Sequence, residues 1–383
     1  MPDLSAIDHA CHSCGSHQLE IAREYPALHR VTSDCKPWPP GGFLARCLEC
    51  GLVQTLTTPQ WQAEADQIYR SYAIYHQGGG AEQMVFVEGR AVSRSEVIVQ
   101  YLLRHHTLPS AGRSLDIGCG NGAFLRACSK QLTGWRLNGS EFDTRHRAAV
   151  EAIPQVEKFY PCALDGIPGE FDLISTIHVL EHIAAPKNLR AEIRRKLKPG
   201  GLLLIEVPDC LLNPYILLVA DHCTHFAPSI LAELVSEAGF EVLSSGNSCV
   251  PKENTLMARK ADSAPPPSRA SVEEDGARIM ANESVLTAIV RKAAPLAQQP
   301  NFGIFGSSIA ATWLNGQLGE AARFFVDEDP NRAGSSLMGK PIFTPAQVSM
   351  DATVFVALPA TVAKSVCQRL EGAGRNLKLV TLE

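Results

Sequence analysis

The stretch Arg113-Ser114-Leu115-Asp116-Ile117-Gly118-Cys119-Gly120-Asn121-Gly122 limits what this chain can fold into more than any other part of it. A short apolar run enters three glycines at alternate positions, and a helix-forming segment, Ala123 to Gln131, follows. That order spells strand, tight turn, helix. Glycines there let the backbone turn sharply and approach a bound molecule with no Cβ in the way, while the helix start aims unpaired N–H groups at it. In a dinucleotide fingerprint the acid lies about 20 residues beyond the glycines. Here Asp116 precedes them, at the end of the strand, where a carboxylate can face a cationic amino group. Cys119, inside the turn, reads as small filler.

The following segments repeat the alternation. An amphipathic helix, Val92 to Arg104, precedes the first strand, and further helices are expected near 121–131, 143–153 and 186–196. Glu141 closes a strand that starts at Trp135, where an acid is placed to accept both hydroxyls of a ribose. Phe171 to His182 reads as a later strand and its loop, and Lys198-Pro199-Gly200-Gly201 as the turn into the apolar strand Leu202 to Val207. Strands alternating with helices imply a parallel sheet, whose ligands bind beyond the carboxyl ends of the strands. In order and spacing these elements, over roughly residues 85–260, resemble the class I S-adenosylmethionine (SAM)-dependent methyltransferases. The resemblance implies a cofactor cradle of Asp116, Gly118, Cys119, Gly120, Asn121, Gly122 and Glu141. It also implies that the loop carrying His178 borders the channel to the sulfonium methyl.

At 383 residues, 45% hydrophobic and 20% charged, the chain has the composition of a globular protein of two or three domains. A net charge of −5 without a concentrated basic face argues against nucleic acid and anionic membrane and favours a small-molecule partner. No apolar run approaches the roughly 20 residues of a membrane span, and the N-terminus lacks the pattern of a signal peptide. A cytoplasmic protein, monomeric or homodimeric, is expected. Disulfides rarely persist in that reducing compartment, so the 12 cysteines point to metal binding.

Cys11-His12-Ser13-Cys14-Gly15 and Cys47-Leu48-Glu49-Cys50-Gly51 are two C-x-x-C knuckles, each followed by glycine. Four thiolates saturate a tetrahedral zinc ion, so Cys11, Cys14, Cys47 and Cys50 predict a structural Zn2+ within a segment spanning 1–84. His12, His17 and Cys35 read as ordinary packing or surface residues. The segment is small and rich in proline and glycine, so the ion is expected to supply part of its folding free energy. Tyr69, Tyr72 and Tyr75 recur at helical spacing before Gly78-Gly79-Gly80. They form either one packed helix face or, with the glycines as a hinge, a lid whose phenols face a substrate.

Two loops carry candidates for chemistry. In the first, His178 either faces the substrate or packs under the sheet edge, and Glu181-His182 anchors the loop. In the second, Asp221-His222-Cys223-Thr224-His225-Phe226 follows the fifth strand, where imidazole, titrating near neutrality, suits proton transfer. His222 is the candidate base with Asp221 beside it, and His225 the packing residue. The Pro- and Ser-rich stretch 261–270 reads as an exposed connection into a C-terminal unit, 261–383. There a helical region, Val272 to Ala297, precedes strands at Phe302, Ala322–Val326 and Thr353–Leu358, a half-Rossmann unit. Gly306, Ser307 and Ser308, in the first turn of that unit, either bind a substrate phosphate or only preserve the shape of a docking domain.

Taken together, the four-cysteine segment, the central methyltransferase and the lobe carrying Gly303-Ile304-Phe305-Gly306-Ser307-Ser308 and Val326-Asp327-Glu328-Asp329-Pro330 resemble the sugar C-methyltransferase family over nearly the whole chain. Members methylate carbon three of nucleotide-linked 4-keto-deoxysugars between the lobes and carry a Glu-His-x-x-Tyr-Phe-Ser motif whose histidine acts as base. Here His222 and Phe226 align, Asp221 replaces glutamate, and His225 and Ala227 replace tyrosine and serine. Val219 stands where the family tends to have a tyrosine. The resemblance implies a fold of α/β class: a doubly wound Rossmann-like methyltransferase domain flanked by a zinc-binding domain and a half-Rossmann domain. It also implies C-methylation of a nucleotide sugar through an enolate made by His222, with Tyr72, Tyr75 and His178 as supporting groups. O- or N-methylation of a small metabolite, or a SAM-binding scaffold without turnover, are the other readings.

Overall fold

The computed structural model describes residues 9–74, 80–87, 90–261, 269–372, 374 and 377–382. Its centre is a seven-stranded sheet. In spatial order the strands are Val156–Tyr160, Trp135–Ser140, Gly112–Ile117, Phe171–Ile177, Leu197–Pro208, Glu253–Lys260 and Phe240–Gly246. The first five run parallel, and Glu253–Lys260 is antiparallel to both of its neighbours. The chain reverses direction in strand order between Gly112–Ile117 and Phe171–Ile177, so the glycine turn opens at the switch point where such sheets bind ligands. This is the expected α/β Rossmann-like architecture.

Local sequence explains the helices. Ser93 accepts a hydrogen bond from the Glu96 N–H and starts the helix Arg94–His105, while Val92 belongs to the preceding hairpin rather than to that helix. Proline at the first position starts Pro186–Lys196, as expected. The helix expected over 143–153 is shorter and broken. Asp143 caps a single 3-10 turn, Thr144–His146, and only Arg147–Glu151 is α-helical.

The N-terminal region is a small sheet of Leu19–Ile21, Leu44–Cys47 and Val53–Thr55, and its fourth strand, Thr224–His225, comes from the central domain. The boundary near residue 84 is therefore crossed by main-chain pairing, with His225 opposite Val53 and Thr224 opposite Gln54. After the sheet, Thr58 caps the helix Pro59–Arg70. Tyr69 lies in its last turn and Tyr72 beyond its end, so these two tyrosines do not share one helix face. Tyr75, Gly78 and Gly79 lie outside the described residues.

The C-terminal region contains a six-stranded sheet with Phe302–Phe305 at its middle, between Phe324–Val326 and Thr353–Val356. The helix Arg269–Ala293 leads into it. One continuous apolar core joins all three regions, from Tyr25, Leu44 and Val53 through Leu203, Leu217 and Phe226 to Trp313 and Phe325. Tyr25 donates to the Leu217 carbonyl (2.6 Å) and Trp61 to that of Ala220 (2.9 Å), pinning the loop after the fifth strand to the N-terminal region. Among the described residues no helix is long and apolar enough to cross a membrane.

Candidate active site

Gly118, Gly120 and Gly122 all have positive φ (69°, 51° and 80°), which favours glycine. A Cβ on Gly118 would lie 2.4 Å from Val179, and one on Gly120 2.3 Å from Ile74, so the turn is also closely packed. Cys119 turns inward: a Cβ on Gly139 would lie 2.7 Å from its Sγ, and burial pushes the thiol pKa up. The thiol thus fills the space beside Gly139. The Asn121 side chain donates to the Gly80 carbonyl at 3.0 Å and so ties the turn to the N-terminal region.

Asp116 is 3% exposed and accepts a hydrogen bond from Ser175 Oγ at 2.7 Å. Burial, with the charge of Glu141 nearby, pushes its carboxyl up to about 7 against the Ser175 bond. Such a carboxyl gains from a cationic neighbour. Asp116, Glu141 and the glycine turn border one cavity of about 970 Å³. The cavity continues past His178, His182 and His222 to Ser308 and Arg332 of the C-terminal region, with Ser33, Tyr69 and Tyr72 on its N-terminal side.

His178 follows its strand in a left-handed conformation (φ 54°). Arg94 Nη1 lies 2.8 Å from its Nε2, and Glu181 Oε1 lies 3.1 Å from its Nδ1. Arginine only donates, so Nε2 accepts and the ring proton sits on Nδ1 toward Glu181. Both nitrogens are thereby engaged, which suits His178 to shaping the wall of the cavity rather than to moving protons.

His222 differs. It is 4% exposed and stands edge-on to His182, with ring centroids 4.6 Å apart. Its Nδ1 has no hydrogen-bond partner among the described residues. Burial, reinforced by the neighbouring imidazoles of His182, His225 and His178, holds its pKa well below the usual range, so the ring is neutral and has a lone pair to offer. Asp221 does not orient it. The Asp221 carboxylate accepts from the Ser33 N–H (2.9 Å) and hydroxyl (2.5 Å) and lies 3.4 Å from His182 Nδ1. Its role is to hold the N-terminal region and His182 in place. His225 packs, with Nε2 3.1 Å from Thr55 Oγ1.

In the C-terminal turn the Ser307 hydroxyl donates to Asp327, which leaves Ser308 as the hydroxyl bordering the cavity. Gly306 has a φ of 105° and closes the turn. Sequence reasoning missed the cations here. Lys252 and Arg332 both border the cavity, and Lys252 makes no ion pair among the described residues. Arg332 lies 3.8 Å from Asp327 and 3.6 Å from Asp329. Arg332 sits in the loop after a parallel strand, so the strand-end rule could have found it. Lys252, in a turn before an antiparallel strand, carries no such signal.

Away from the cavity, the sulfurs of Cys11, Cys14, Cys47 and Cys50 all lie within 4.8 Å of one another. Cys11 to Cys50 is 3.5 Å and Cys14 to Cys47 is 3.6 Å. Tetrahedral zinc with Zn–S of about 2.3 Å spaces its sulfurs by about 3.8 Å, so the donor set could hold that ion.

Residues 93–245 match the family described as a methyltransferase domain. The ubiquinone biosynthesis O-methyltransferase of Methylococcus capsulatus is 27% identical over 125 residues, 30% of this chain and 52% of that protein. The enzyme of the same name from Burkholderia pseudomallei is 26% identical over 168 residues, 38% of this chain and 72% of its own length. The chain thus spans as little as about half the length of the curated relatives it matches. Among solved structures, the 1,6-didemethyltoxoflavin-N1-methyltransferase of Burkholderia thailandensis, with bound 1,6-didemethyltoxoflavin and S-adenosylhomocysteine, is 20% identical. It aligns over 55% of this chain and 96% of its own, with a TM-score of 0.40. The glycine turn, the strand order and the match over 93–245 define the central region as a class I SAM-dependent methyltransferase domain.

Proposed function

We propose that this chain transfers the methyl group of SAM to carbon three of a nucleotide-linked 4-keto-deoxysugar, with His222 as the base. The observation that carries the reading is the single cavity of about 970 Å³, which runs from the glycine turn past His222 to Ser308, Lys252 and Arg332. Cofactor alone would not call for cationic groups at the far end, whereas a diphosphate-linked acceptor would. Asp116 and Glu141 would hold the cofactor's amino group and ribose, and bound SAM supplies an electrophilic methyl.

A carbon beside a carbonyl is acidic because the enolate spreads its charge. His222, neutral and buried in the wall, would take that proton, and Tyr72, which borders the cavity, would donate to the enolate oxygen. The protein's remaining task is to hold nucleophile and methyl about 3–3.5 Å apart and aligned. The four cysteines would hold a structural Zn2+ that keeps the N-terminal sheet, and with it the His222 loop, in register.

O-methylation is the second reading, favoured by the names of the curated relatives and by the departures from the family motif at Asp221, His225 and Ala227. The two separate in one experiment. Incubation with 13C-methyl SAM and a panel of nucleotide keto-sugars and phenols should give a product whose new methyl carbon resonates with carbon-bound methyl groups. An oxygen-bound shift would overturn C-methylation, and no product across the panel would overturn the acceptor class.

A further inference from the structure

The wall around His222 holds more ligand capacity than proton transfer uses. We propose that Glu181, His182 and His222 form a second metal site, separate from the four cysteines, that takes a borderline divalent ion such as Co2+, Cu2+ or Zn2+.

One donor atom from each residue lies within 4.8 Å of the other two, and all three residues border the cavity. Two of the side chains hold buried polar atoms that no described residue satisfies. Glu181 Oε2 and His222 Nδ1 have no hydrogen-bond partner among the described residues, in residues 1% and 4% exposed. Leaving a polar atom buried without a partner is costly, so an unsatisfied carboxylate oxygen and an unsatisfied imidazole nitrogen in one cluster mark a missing partner.

The surrounding groups orient the ligands as metal sites require. Glu181 Oε1 is held by His178 Nδ1 at 3.1 Å, which leaves Oε2 as its free oxygen. His182 Nδ1 faces the Asp221 carbonyl at 3.1 Å, the Asp221 carboxylate at 3.4 Å and the Tyr69 hydroxyl at 3.0 Å. The ring proton belongs on that nitrogen, and Nε2 keeps its lone pair. A carboxylate or carbonyl behind the ring is the usual outer partner of a ligating histidine. At metal–ligand distances of about 2.1 Å the three donors must draw together by roughly 1 Å, within reach of small side-chain rotations.

Two imidazoles and one carboxylate, without thiolate, select borderline transition ions over Mg2+ or Ca2+. The cavity side supplies the open positions. An ion there would occupy the lone pair that His222 needs as a base, so such an ion would inhibit turnover, but the site itself does not depend on the reaction assigned above.

Full-length protein carrying zinc in its cysteine site is titrated with Co2+, and bound metal is counted after desalting. Wild type should take one further ion, with d–d absorption and no thiolate-to-cobalt charge transfer. His182→Ala and Glu181→Gln should each weaken it by at least about tenfold. Zinc content and SAM affinity, unchanged in both variants, serve as fold checks. Copper-loaded wild type, which needs no variant, should show electron paramagnetic resonance hyperfine structure from two imidazole nitrogens. No further ion in wild type, an unaltered titration in both variants, or copper without nitrogen coupling would overturn the site.

Discussion

Two side chains illustrate how far chemistry at a single residue is set by burial. His222 is neutral because burial and three neighbouring imidazoles disfavour its charged form. As the proposed base, its replacement by alanine should cut turnover about 10²–10⁴-fold while the SAM dissociation constant stays within about threefold; equal loss of both would make it a structural residue. Asp116 is shifted the other way, up to about 7 by burial. Its folded-state pKa lies above the ordinary value of 3.8, so the ligand-free protein holds this proton tightly. That contribution to stability is complete in acid and is lost as pH rises through about 7. A cationic cofactor group selects the carboxylate instead. Affinity for SAM should therefore climb by up to about tenfold per pH unit below neutrality and level off above it, and Asp116→Asn should flatten the curve. Calorimetric titration over a range of pH decides this.

Among the elements, the two-residue strand Thr224–His225 matters most for its size. It closes the N-terminal sheet against Val53–Thr55, next in the chain to Cys47 and Cys50 on one side and to His222 on the other. The Thr55 N–H donates to the Cys223 carbonyl at 3.0 Å, and the Cys223 N–H to the Glu181 carbonyl at 2.9 Å. Main-chain bonds thus run from the cysteine knuckle to both loops of the cavity wall. If the cysteines hold zinc, its removal should lower turnover by at least about tenfold while SAM affinity changes little, because the glycine turn lies on another sheet. Chelation followed by calorimetry and a turnover assay tests the link; turnover that survives loss of the ion would break it. The knuckles themselves were legible from their spacing. The strand was not, since two residues of a polar loop carry no periodicity and pair only once another domain is present.

Across the whole molecule, the three regions share a core and surround one cavity, so the end proposed for the acceptor is assembled from residues distant in sequence. Lys252→Met and Arg332→Met should each raise the KM for a diphosphate-linked acceptor about 10–100-fold with kcat nearly unchanged, as expected for loss of one charge-assisted contact worth about 1.5–3 kcal/mol. A KM that does not move would remove phosphate from the reading of this end. Burial also pulls the Lys252 pKa down, opposed by Glu253 and Asp327 and assisted by Arg332, an arrangement that an anionic ligand would relieve.

What this chain's sequence determined alone is the cofactor half. Glycines at alternate positions, an acid at a strand end and helices of regular period are local signals, because each reflects the backbone conformation of a few adjacent residues. Hence Asp116, Gly118, Gly120 and Gly122, the strand alternation and the cysteine knuckles could be read directly. Only tertiary structure decided the other half. Asp221 looked like the partner of His222 because it precedes it, yet successive side chains point apart, and its carboxylate is taken by Ser33, 188 positions away. The sequence leaves His178 either facing the substrate or packing under the sheet edge, and only the fold shows Arg94 and Glu181 engaging both its nitrogens. Hydrogen-bond partners and burial fix the protonation of these groups, and both are set by packing between segments far apart in the chain.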